Sequence, residues 1–411
     1  MPDFDEAFAR LAAYAPGWRV GSGEGGVAVF ELLQATHEGV VFGVCDFRLI
    51  QNVIEMFVVA QLVAKRLNLT CGIFHSGSST IIAFSRRNSF QTGRPCARPS
   101  PESPIAAYKK TVLIYNPRAG KFERSSGSLL NRLVDALRRE GHNVTVAPTT
   151  GPGTAGAIAR EHIAAGADLI VAAGGDGTIN EVAEGMVHSS IPLAVLPAGT
   201  ANVLAVETGL SRTPERAAAK LKELQPRRIA VGHVTCDGGR VSRHFLLMAG
   251  IGLDAQIVYR VNGALKARTG KFAYWVASWS LLGRSLPEFD VEVDGRPFRC
   301  SFALVSKVKN YGGDFSIARS VDLLQDRFEV VLFEGQSTFR YARYFVGLIL
   351  NRIQGMKGLT VLRARELKIG CSDDSRVYAQ IDGEFAGHLP AEIRIVPDAL
   401  TVLLAEEYGR P

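Results

Sequence analysis

Residues 168–185, which read DLIVAAGGDGTINEVAEG, constrain the fold more than any other stretch of the chain. An apolar run over residues 169–173 leads into the turn GGDGT, and apolar residues then return at helical spacing. This pattern predicts a strand, a tight turn and a helix. Glycines allow the backbone to approach a ligand closely, and the amides that open a helix attract anions. The turn is therefore a candidate phosphate site.

Asp176 narrows the chemistry of that site. A carboxylate does not favour a bare phosphate, so its natural partner is a cation carried with the phosphate, such as Mg²⁺, or a proton to be removed. This combination indicates nucleotide chemistry. Taken alone, the same turn also fits a glycine-rich loop with a solvated aspartate. Only the rest of the sequence distinguishes such a loop from a nucleotide site.

Strands, turns and helices alternate through this part of the chain. Apolar strands are predicted over residues 111–115, 143–147, 169–173 and 191–196. The polar turns that follow them are Asn116–Lys121, Thr149–Gly153, Gly174–Thr178 and Pro197–Asn202. The alternation predicts a doubly wound parallel sheet, whose ligand site lies at the carboxyl ends of the strands. All four turns then fall on one edge, which favours the ligand site over the solvated loop.

The pattern changes after residue 226, where short strands and hairpin turns predict a mainly antiparallel β-sandwich domain. The hairpin signals are Asp294-Gly295 and Asp382-Gly383. The strands are predicted over residues 227–236, 244–251, 289–294, 298–306, 328–333, 359–369, 376–381 and 391–396. Two aromatic helices, over residues 271–282 and 338–353, are typical of core, although either could line an acyl-chain pocket.

Four regions follow from these patterns. Residues 1–90 predict a small α/β unit of unknown role, with strands over 27–33 and 40–47, a helix over 53–67 and two more strands within 72–84. Residues 91–108 are rich in Pro, Ser and Arg and predict a linker. The nucleotide-binding α/β domain then spans 109–226. The β-rich domain spans 227–411, and its last strands could return to the first lobe.

Composition limits the partners. With 47% hydrophobic and 21% charged residues, the chain predicts an ordinary globular protein. Its net charge of +7 fits an anionic substrate or membrane surface, and no basic run indicates nucleic acid. The six cysteines show no C-x-x-C pairing, so neither zinc nor a disulfide framework is predicted. Without a signal peptide or an apolar run of about 18 residues, we expect a cytoplasmic protein, peripheral at most at the inner membrane surface.

The motifs together resemble the diacylglycerol kinase catalytic family, which includes bacterial lipid kinases and sphingosine kinases. The motifs are N-P-x-x-G at 116–120, G-G-D-G-T-x-N-E at 174–181, P-x-G-T-x-N at 197–202, A-G-I-G-x-D-A at 249–255 and D-G-E at 382–384. They cover residues 109 to 408 and leave the first hundred unexplained. G-G-D-G-T alone is shared with NAD kinases, whereas the ordered set is specific.

The resemblance implies a role for each matched residue. Asp176 would lie near the γ-phosphate and Mg²⁺, and Glu384 would match the proton acceptor of the family, with Asp382 beside it. The residues implied to hold ATP are Asn116, Pro117, Arg118, Ala119, Gly120, Thr149, Gly174, Gly175, Asp176, Gly177, Thr178, Ile179, Asn180 and Thr200. Since a proton acceptor must reach its hydroxyl directly or through one water, we expect the Asp176 and Glu384 carboxylates to lie on the order of 10 Å apart.

Two positions depart from the family pattern. The acid that commonly follows P-x-G-T-x-N is replaced by Val203. In the segment resembling a second, structural Mg²⁺ site, the usual Asp-Gly is Asp326-Arg327. The resemblance implies metal binding by Asp326 with the carbonyls of Leu323 and Phe328, and the arginine puts that site in question.

Two classes of function fit the sequence. The first is an ATP- and Mg²⁺-dependent kinase acting on the hydroxyl of diacylglycerol, a sphingoid base or a related lipid, with transient membrane contact. The second is a nucleotide- or lipid-binding regulatory protein without turnover. A small-molecule kinase like the NAD kinases is a further alternative. The acceptor lipid stays open, and so does the oligomeric state, a homodimer included.

Overall fold

The computed structural model describes residues 18–23, 27–32, 69–76, 79–86 and 108–410, with gaps at 126, 212, 254, 256–285, 312–314, 350–351 and 372–375. The chain divides into two compact units, Met1–Pro101 and Glu102–Pro411. The predicted strand over 40–47 and the predicted helices over 53–67 and 271–282 lie outside the described residues.

The first unit contains a four-stranded antiparallel sheet in the order β1-β2-β4-β3. Its strands are Trp18–Gly23 (β1), Val27–Leu32 (β2), Leu69–Ser76 (β3) and Ser79–Arg86 (β4). The predicted strand over 27–33 and the two predicted within 72–84 are confirmed.

The second unit begins with the predicted alternation of strands and helices. Its strands are Lys110–Tyr115 (β5), Asn143–Pro148 (β6), Leu169–Gly174 (β7) and Leu193–Pro197 (β8). Its helices are Gly120–Arg124 (α1), Ser128–Arg139 (α2), Ala155–Ala164 (α3), Asp176–Met186 (α4), Val203–Glu207 (α5) and Pro214–Ala218 (α6). The strands pair in parallel in the order β8-β7-β5-β6.

Helices cover both faces of this parallel sheet. On one face, Leu133 of α2 packs with Leu113 of β5 and Val171 of β7. On the other, Val182 of α4 packs with neighbouring residues of β5 and β7. Because each strand side meets a helix, every residue of β7 is buried, which explains its unbroken apolar sequence. The predicted doubly wound sheet is confirmed.

The β-rich half adds two antiparallel layers. Strands of the first layer are Leu224–Cys236 (β9), Val241–Phe245 (β10), Phe289–Val293 (β12), Arg296–Cys300 (β13), Glu366–Gly370 (β19) and Ala391–Ala405 (β22). Strands of the second are Met248–Gly252 (β11), Phe302–Ser306 (β14), Phe328–Phe333 (β17), Leu359–Ala364 (β18), Tyr378–Ile381 (β20) and Glu384–His388 (β21). Asn310–Tyr311 (β15) and Phe315–Ser316 (β16) form a small ribbon, and Thr338–Ile349 is a helix (α7).

The two layers face each other across one apolar core. Val291, Leu367 and Ile393 from the first layer join Val305 and Val330 from the second in the same buried cluster. The predicted β-sandwich is therefore confirmed.

Three predicted strands are each two strands, which corrects the sequence interpretation. The segments 244–251, 298–306 and 359–369 break at Leu246–Leu247, at Ser301 and at Arg365. At each break the chain passes from one layer of the sandwich to the other. A strand that changes layers must bend at the corner, and an apolar run does not reveal that bend.

Strand β22 joins the two halves. It pairs antiparallel with β19 and β9 and in parallel with β8, where Val402 lies opposite Leu193. One ten-stranded sheet therefore runs through the nucleotide half and the sandwich. Within the described ranges, no helix has the length and apolar character needed to cross a bilayer.

Candidate active site

Three turns meet at the carboxyl edge of the parallel strands. The amide of Lys121 donates to the carbonyl of Ala198 over 3.2 Å, and the Ala198 amide donates to the Gly174 carbonyl over 2.8 Å. A Cβ atom at Gly199 would lie 2.5 Å from the Cα of Gly175. Only glycine permits this approach of two backbones. The turns over 116–120, 174–178 and 197–202 therefore form one surface.

Basic side chains lie along this surface. The Lys121 ammonium donates to the carbonyl of Pro197 over 2.9 Å, and burial lowers the pKa of Lys121. The guanidinium of Arg124 lies over Gly120, 3.1 Å from where a Cβ would be. Arg118 is exposed at the rim, as are Pro117 and Thr200. Positive charge and backbone amides at strand ends suit an anion such as phosphate.

A polar set beneath the surface connects the first and second turns. The Asn116 amide nitrogen donates to the Thr178 hydroxyl over 3.2 Å. Asn180, 3% exposed, has the one buried side-chain nitrogen or oxygen in the described residues that lacks a hydrogen-bond partner, its Nδ2 atom. An unpaired buried donor is costly, so it fits a site whose ligand supplies an acceptor. The amide of Thr149 donates to Tyr115 at the same edge.

Asp176 is the first residue of α4 and is half-buried. Its carboxylate accepts the amide of Leu204 at the start of α5, over 3.4 Å. Burial raises the pKa of Asp176, and the amides of residues 202–204 oppose that rise. A carboxylate held at the junction of the second and third turns suits a cation bound together with phosphates.

Glu384 comes from the sandwich and reaches this junction. A Cβ atom at Gly177 would lie 2.6 Å from the Glu384 Oε1 atom. The other carboxylate oxygen, Oε2, accepts a hydrogen bond from Arg243 Nη2 over 3.2 Å. Because Gly177 follows Asp176 directly, the structure brings together the two acids that lie far apart in the sequence.

Asp382 anchors the hairpin that carries Glu384. Its Oδ2 atom accepts the amide of Leu246 over 2.8 Å, and its Oδ1 atom accepts the amides of Leu247 and Met248 over 2.9 Å each. Burial, with a smaller contribution from the negative charge of Asp176, raises the pKa of Asp382 to about 7. Both oxygens are occupied by backbone amides, so the geometry suits positioning rather than proton transfer.

Four further residues support the site, and the sequence analysis assigned no role to them. Arg243 and His244 both contact Glu184 of α4, the arginine over 3.9 Å and the imidazole over 3.4 Å. Glu181 accepts the amides of Gly153 and Ala155, which fixes the start of α3. Glu181 is the last residue of the G-G-D-G-T-x-N-E motif, so the sequence held a signal for its contact with α3. Arg243 belongs to no motif.

Asp326 has a different setting from Asp176. Its side chain is exposed, and its carbonyl accepts Arg365 Nε over 3.1 Å. The part of the chain that the structure describes contains no group of three His, Cys, Asp or Glu side chains arranged to hold a metal ion.

Comparison with known families gives two consecutive matches. Residues 110–234 match the diacylglycerol kinase catalytic domain. Residues 248–404 match the YegS C-terminal NAD kinase beta sandwich-like domain. The two matches coincide with the parallel half and the sandwich, and both lie in the second unit of the chain.

Individual relatives agree with these matches. A diacylglycerol kinase of Bacillus subtilis (strain 168) is 28% identical over 292 residues, which is 69% of this chain and 92% of the relative. A diacylglycerol kinase of Mycobacterium tuberculosis (strain CDC 1551 / Oshkosh) is 29% identical over 246 residues, covering 59% and 78%.

A solved structure from Bacillus anthracis str. Sterne has the same fold, with a TM-score of 0.63 at 21% identity over 76% of this chain and 100% of that one. The ordered motifs, the site where Glu384 of the sandwich meets the turns of the parallel half, and the two family matches lead to one conclusion. This chain carries a diacylglycerol kinase catalytic domain followed by a YegS C-terminal domain, and it is a lipid kinase.

Proposed function

We propose that this protein transfers the γ-phosphate of ATP to the hydroxyl of diacylglycerol or a related lipid, with Mg²⁺ as the cofactor. The observation that carries the proposal is the contact between the G-G-D-G turn and Glu384. A phosphate-binding turn and a carboxylate from a second lobe form the two sides of a phosphoryl-transfer site. The names of the curated relatives support diacylglycerol as the acceptor.

The residues divide the chemistry between them. The turns over 116–120, 174–180 and 197–202 hold the triphosphate, and Asp176 holds Mg²⁺, which would neutralise charge on the transferred phosphoryl group. Glu384 accepts the proton of the lipid hydroxyl as its oxygen bonds to the γ-phosphorus and ADP leaves. Arg243 fixes one oxygen of Glu384, so the other, Oε1, faces the Gly177 turn. Asp382 positions the hairpin.

The experiment is phosphorylation with γ-labelled ATP and Mg²⁺ over a panel of acceptors in mixed micelles. The panel contains diacylglycerol, a sphingoid base, a total lipid extract and NAD as the water-soluble alternative, and products are separated by chromatography. We expect label in a lipid product and none in NAD. Label in NAD alone would favour the NAD kinase-like alternative.

Absence of transfer, together with ATP binding, would favour the regulatory alternative. Glu384→Gln tests whether transfer by wild type depends on this carboxylate. The variant should lose phosphoryl transfer and keep the affinity of wild type for ATP. The acceptor resides in a bilayer, so we further propose transient contact of a cytoplasmic protein with the inner membrane surface. Flotation with anionic vesicles tests that contact.

A further inference from the structure

Lys307 is the one lysine or arginine in the described ranges that is fully buried, at 0% exposure. It directly follows β14, which lies in the middle of the six-stranded layer, and its backbone amide donates to Leu247 over 2.8 Å. A buried ammonium is costly unless oxygen atoms and negative charges surround it. Its position therefore requires an explanation from its surroundings.

Those surroundings are the loop over residues 322–326, here called the cation loop. The Lys307 ammonium donates a short hydrogen bond to the carbonyl of Gln325. Burial lowers the pKa of Lys307 to about 8, and the negative charges of Asp322 and Asp326 oppose that fall. The Gln325 carbonyl and these two carboxylates give the loop oxygen atoms of the kind that a hard metal ion would use.

The cation loop is shaped to present that carbonyl. Asp322 Oδ1 accepts the amide of Leu324 over 2.9 Å, and Asp322 Oδ2 accepts the Gln325 side-chain amide over 2.9 Å. The Gln325 backbone amide donates to the Asp322 carbonyl over 3.2 Å. The Tyr408 hydroxyl accepts the amide of Leu323 over 3.1 Å. The loop is therefore held by hydrogen bonds within it and by one to Tyr408.

A divalent ion does not fit the same loop. Mg²⁺ takes six oxygen ligands at about 2.1 Å with near-octahedral geometry. Here the Gln325 carbonyl is bound to Lys307, the Asp322 carboxylate is bound to the loop itself, and the Asp326 side chain is exposed. A metal ion beside the ammonium would also bring two positive charges into contact.

We propose that the ammonium of Lys307 is the resident cation of the cation loop and that this loop binds no divalent metal. This replaces the metal site that the family resemblance implied for Asp326. The sandwich then folds independently of Mg²⁺, and the requirement for Mg²⁺ is confined to the site around Asp176. The inference about the cation loop does not rest on the proposed function, because it concerns stability and metal binding; only the assignment of Mg²⁺ to Asp176 rests on that function.

The test measures metal binding and thermal unfolding of the full chain without nucleotide. Mn²⁺, which binds oxygen sites and is visible by electron paramagnetic resonance, is titrated into wild type, Asp326→Asn and Asp176→Asn. We expect Asp326→Asn to bind as much Mn²⁺ as wild type. Any binding that wild type shows should disappear in Asp176→Asn.

Variants of the lysine provide the second measurement. Lys307→Met keeps the length of the side chain and removes its charge, which leaves two carboxylates facing an apolar group. We expect its unfolding midpoint to fall by about 5 °C or more, because the Gln325 carbonyl loses its donor and the nearby carboxylates lose a compensating charge. Lys309→Met, at an exposed position two residues away, should leave the midpoint unchanged.

Two results would overturn the proposal. One is a Mn²⁺ site in wild type that is lost in Asp326→Asn. The other is a Lys307→Met protein as stable as wild type. If Lys307→Met yields no folded protein, the comparison of wild type with Asp326→Asn still decides the question, since both retain the lysine.

Discussion

Glu384 owes its position to three residues from separate parts of the chain. Gly177 leaves room for its Oε1 atom, Arg243 holds its Oε2 atom, and Asp382 fixes the turn from which it projects. The side chain itself is 37% exposed, so burial alone would not hold it. The position of the Glu384 carboxylate therefore depends on these three residues.

Asp176→Asn should lower kcat by roughly two to three orders of magnitude while the protein stays folded. Asparagine keeps the oxygen that accepts the Leu204 amide and loses the negative charge that would hold Mg²⁺. Steady-state kinetics with ATP and lipid measure the loss, and circular dichroism with thermal unfolding checks the fold. Wild-type turnover in a folded variant would contradict the assignment of Asp176.

Gly177→Ala should lower kcat by a larger factor than it weakens nucleotide binding. Its Cβ atom would lie 2.6 Å from Glu384 Oε1, so the carboxylate must swing away from the phosphate site. Since displacement of a base by about 1 Å can cost roughly a hundredfold in rate, we expect a loss of that order. Kinetics and calorimetric titration of ATP measure the two quantities.

Gly370→Ala is the matched control for that variant. No atom lies within 4 Å of where its Cβ would be, so its kinetics should equal those of wild type. If Gly177→Ala turned over like Gly370→Ala, the proximity of Glu384 to the turn would have no part in the reaction.

The sequence could predict the acids of the site but not all of their supports. Asp176, Asp382 and Glu384 stand in motifs whose order is informative. Arg243 stands outside the motifs and meets Glu384 across 141 positions of the chain, so only the fold relates them. Lys307 follows an apolar strand, where a lysine ordinarily marks the return to solvent, and its burial depends on a loop that lies later in the sequence.

At the level of elements, apolar periodicity predicts which segments are strands and helices but not where a strand changes sheet. Helix α2 shows the favourable case, because its apolar face and the glycine at its end, Gly141 with φ of +92°, are both local signals. The corners at Ser301 and Arg365 are the unfavourable case. Residues typical of strands continue through each corner, while the hydrogen-bonding partners change.

The contact between α2 and β5 carries a pH dependence. His142 follows α2 and its Nδ1 atom lies 2.9 Å from the hydroxyl of Thr111 in β5, and burial lowers the pKa of His142 from 6.5. The unfolded chain then binds a proton at a higher pH than the native one. The contribution of His142 to the free energy of unfolding should therefore decrease as the pH falls below about 6.5, whereas Asp382, whose pKa is raised to about 7, contributes in the opposite direction.

Urea unfolding at pH 7.5, 6.5 and 5.5 measures this dependence. His142→Gln can still hydrogen-bond to Thr111 and does not titrate, so the free energy of unfolding of wild type minus that of the variant should decrease as the pH falls. The variant should keep a pH dependence of its own, because burial lowers the pKa of His233 and raises that of Asp382. Equal slopes for wild type and His142→Gln would show that the Thr111 contact has no share in the pH dependence.

At the level of the whole molecule, the division into two units predicts that the second is self-sufficient. A protein beginning at Glu102 retains every residue of the second unit and both family matches. We expect it to be soluble, to unfold cooperatively and to bind ATP with the affinity of the full chain. Calorimetry measures both properties, with the full chain as reference. Aggregation, or loss of ATP binding, would mean that the first hundred residues belong to the fold.

Strand β22 has a consequence for how the protein is made. A nascent chain emerges from the ribosome with its amino end first, and domains that are built from contiguous segments can fold as they emerge. Here β8 pairs early with β7 but acquires its second neighbour, β22, only when residues up to Val402 have left the ribosome. Until then the edge of β8 is open to other chains. The nascent nucleotide half is thus a natural client for chaperones, and its kinase activity should arise only late in synthesis.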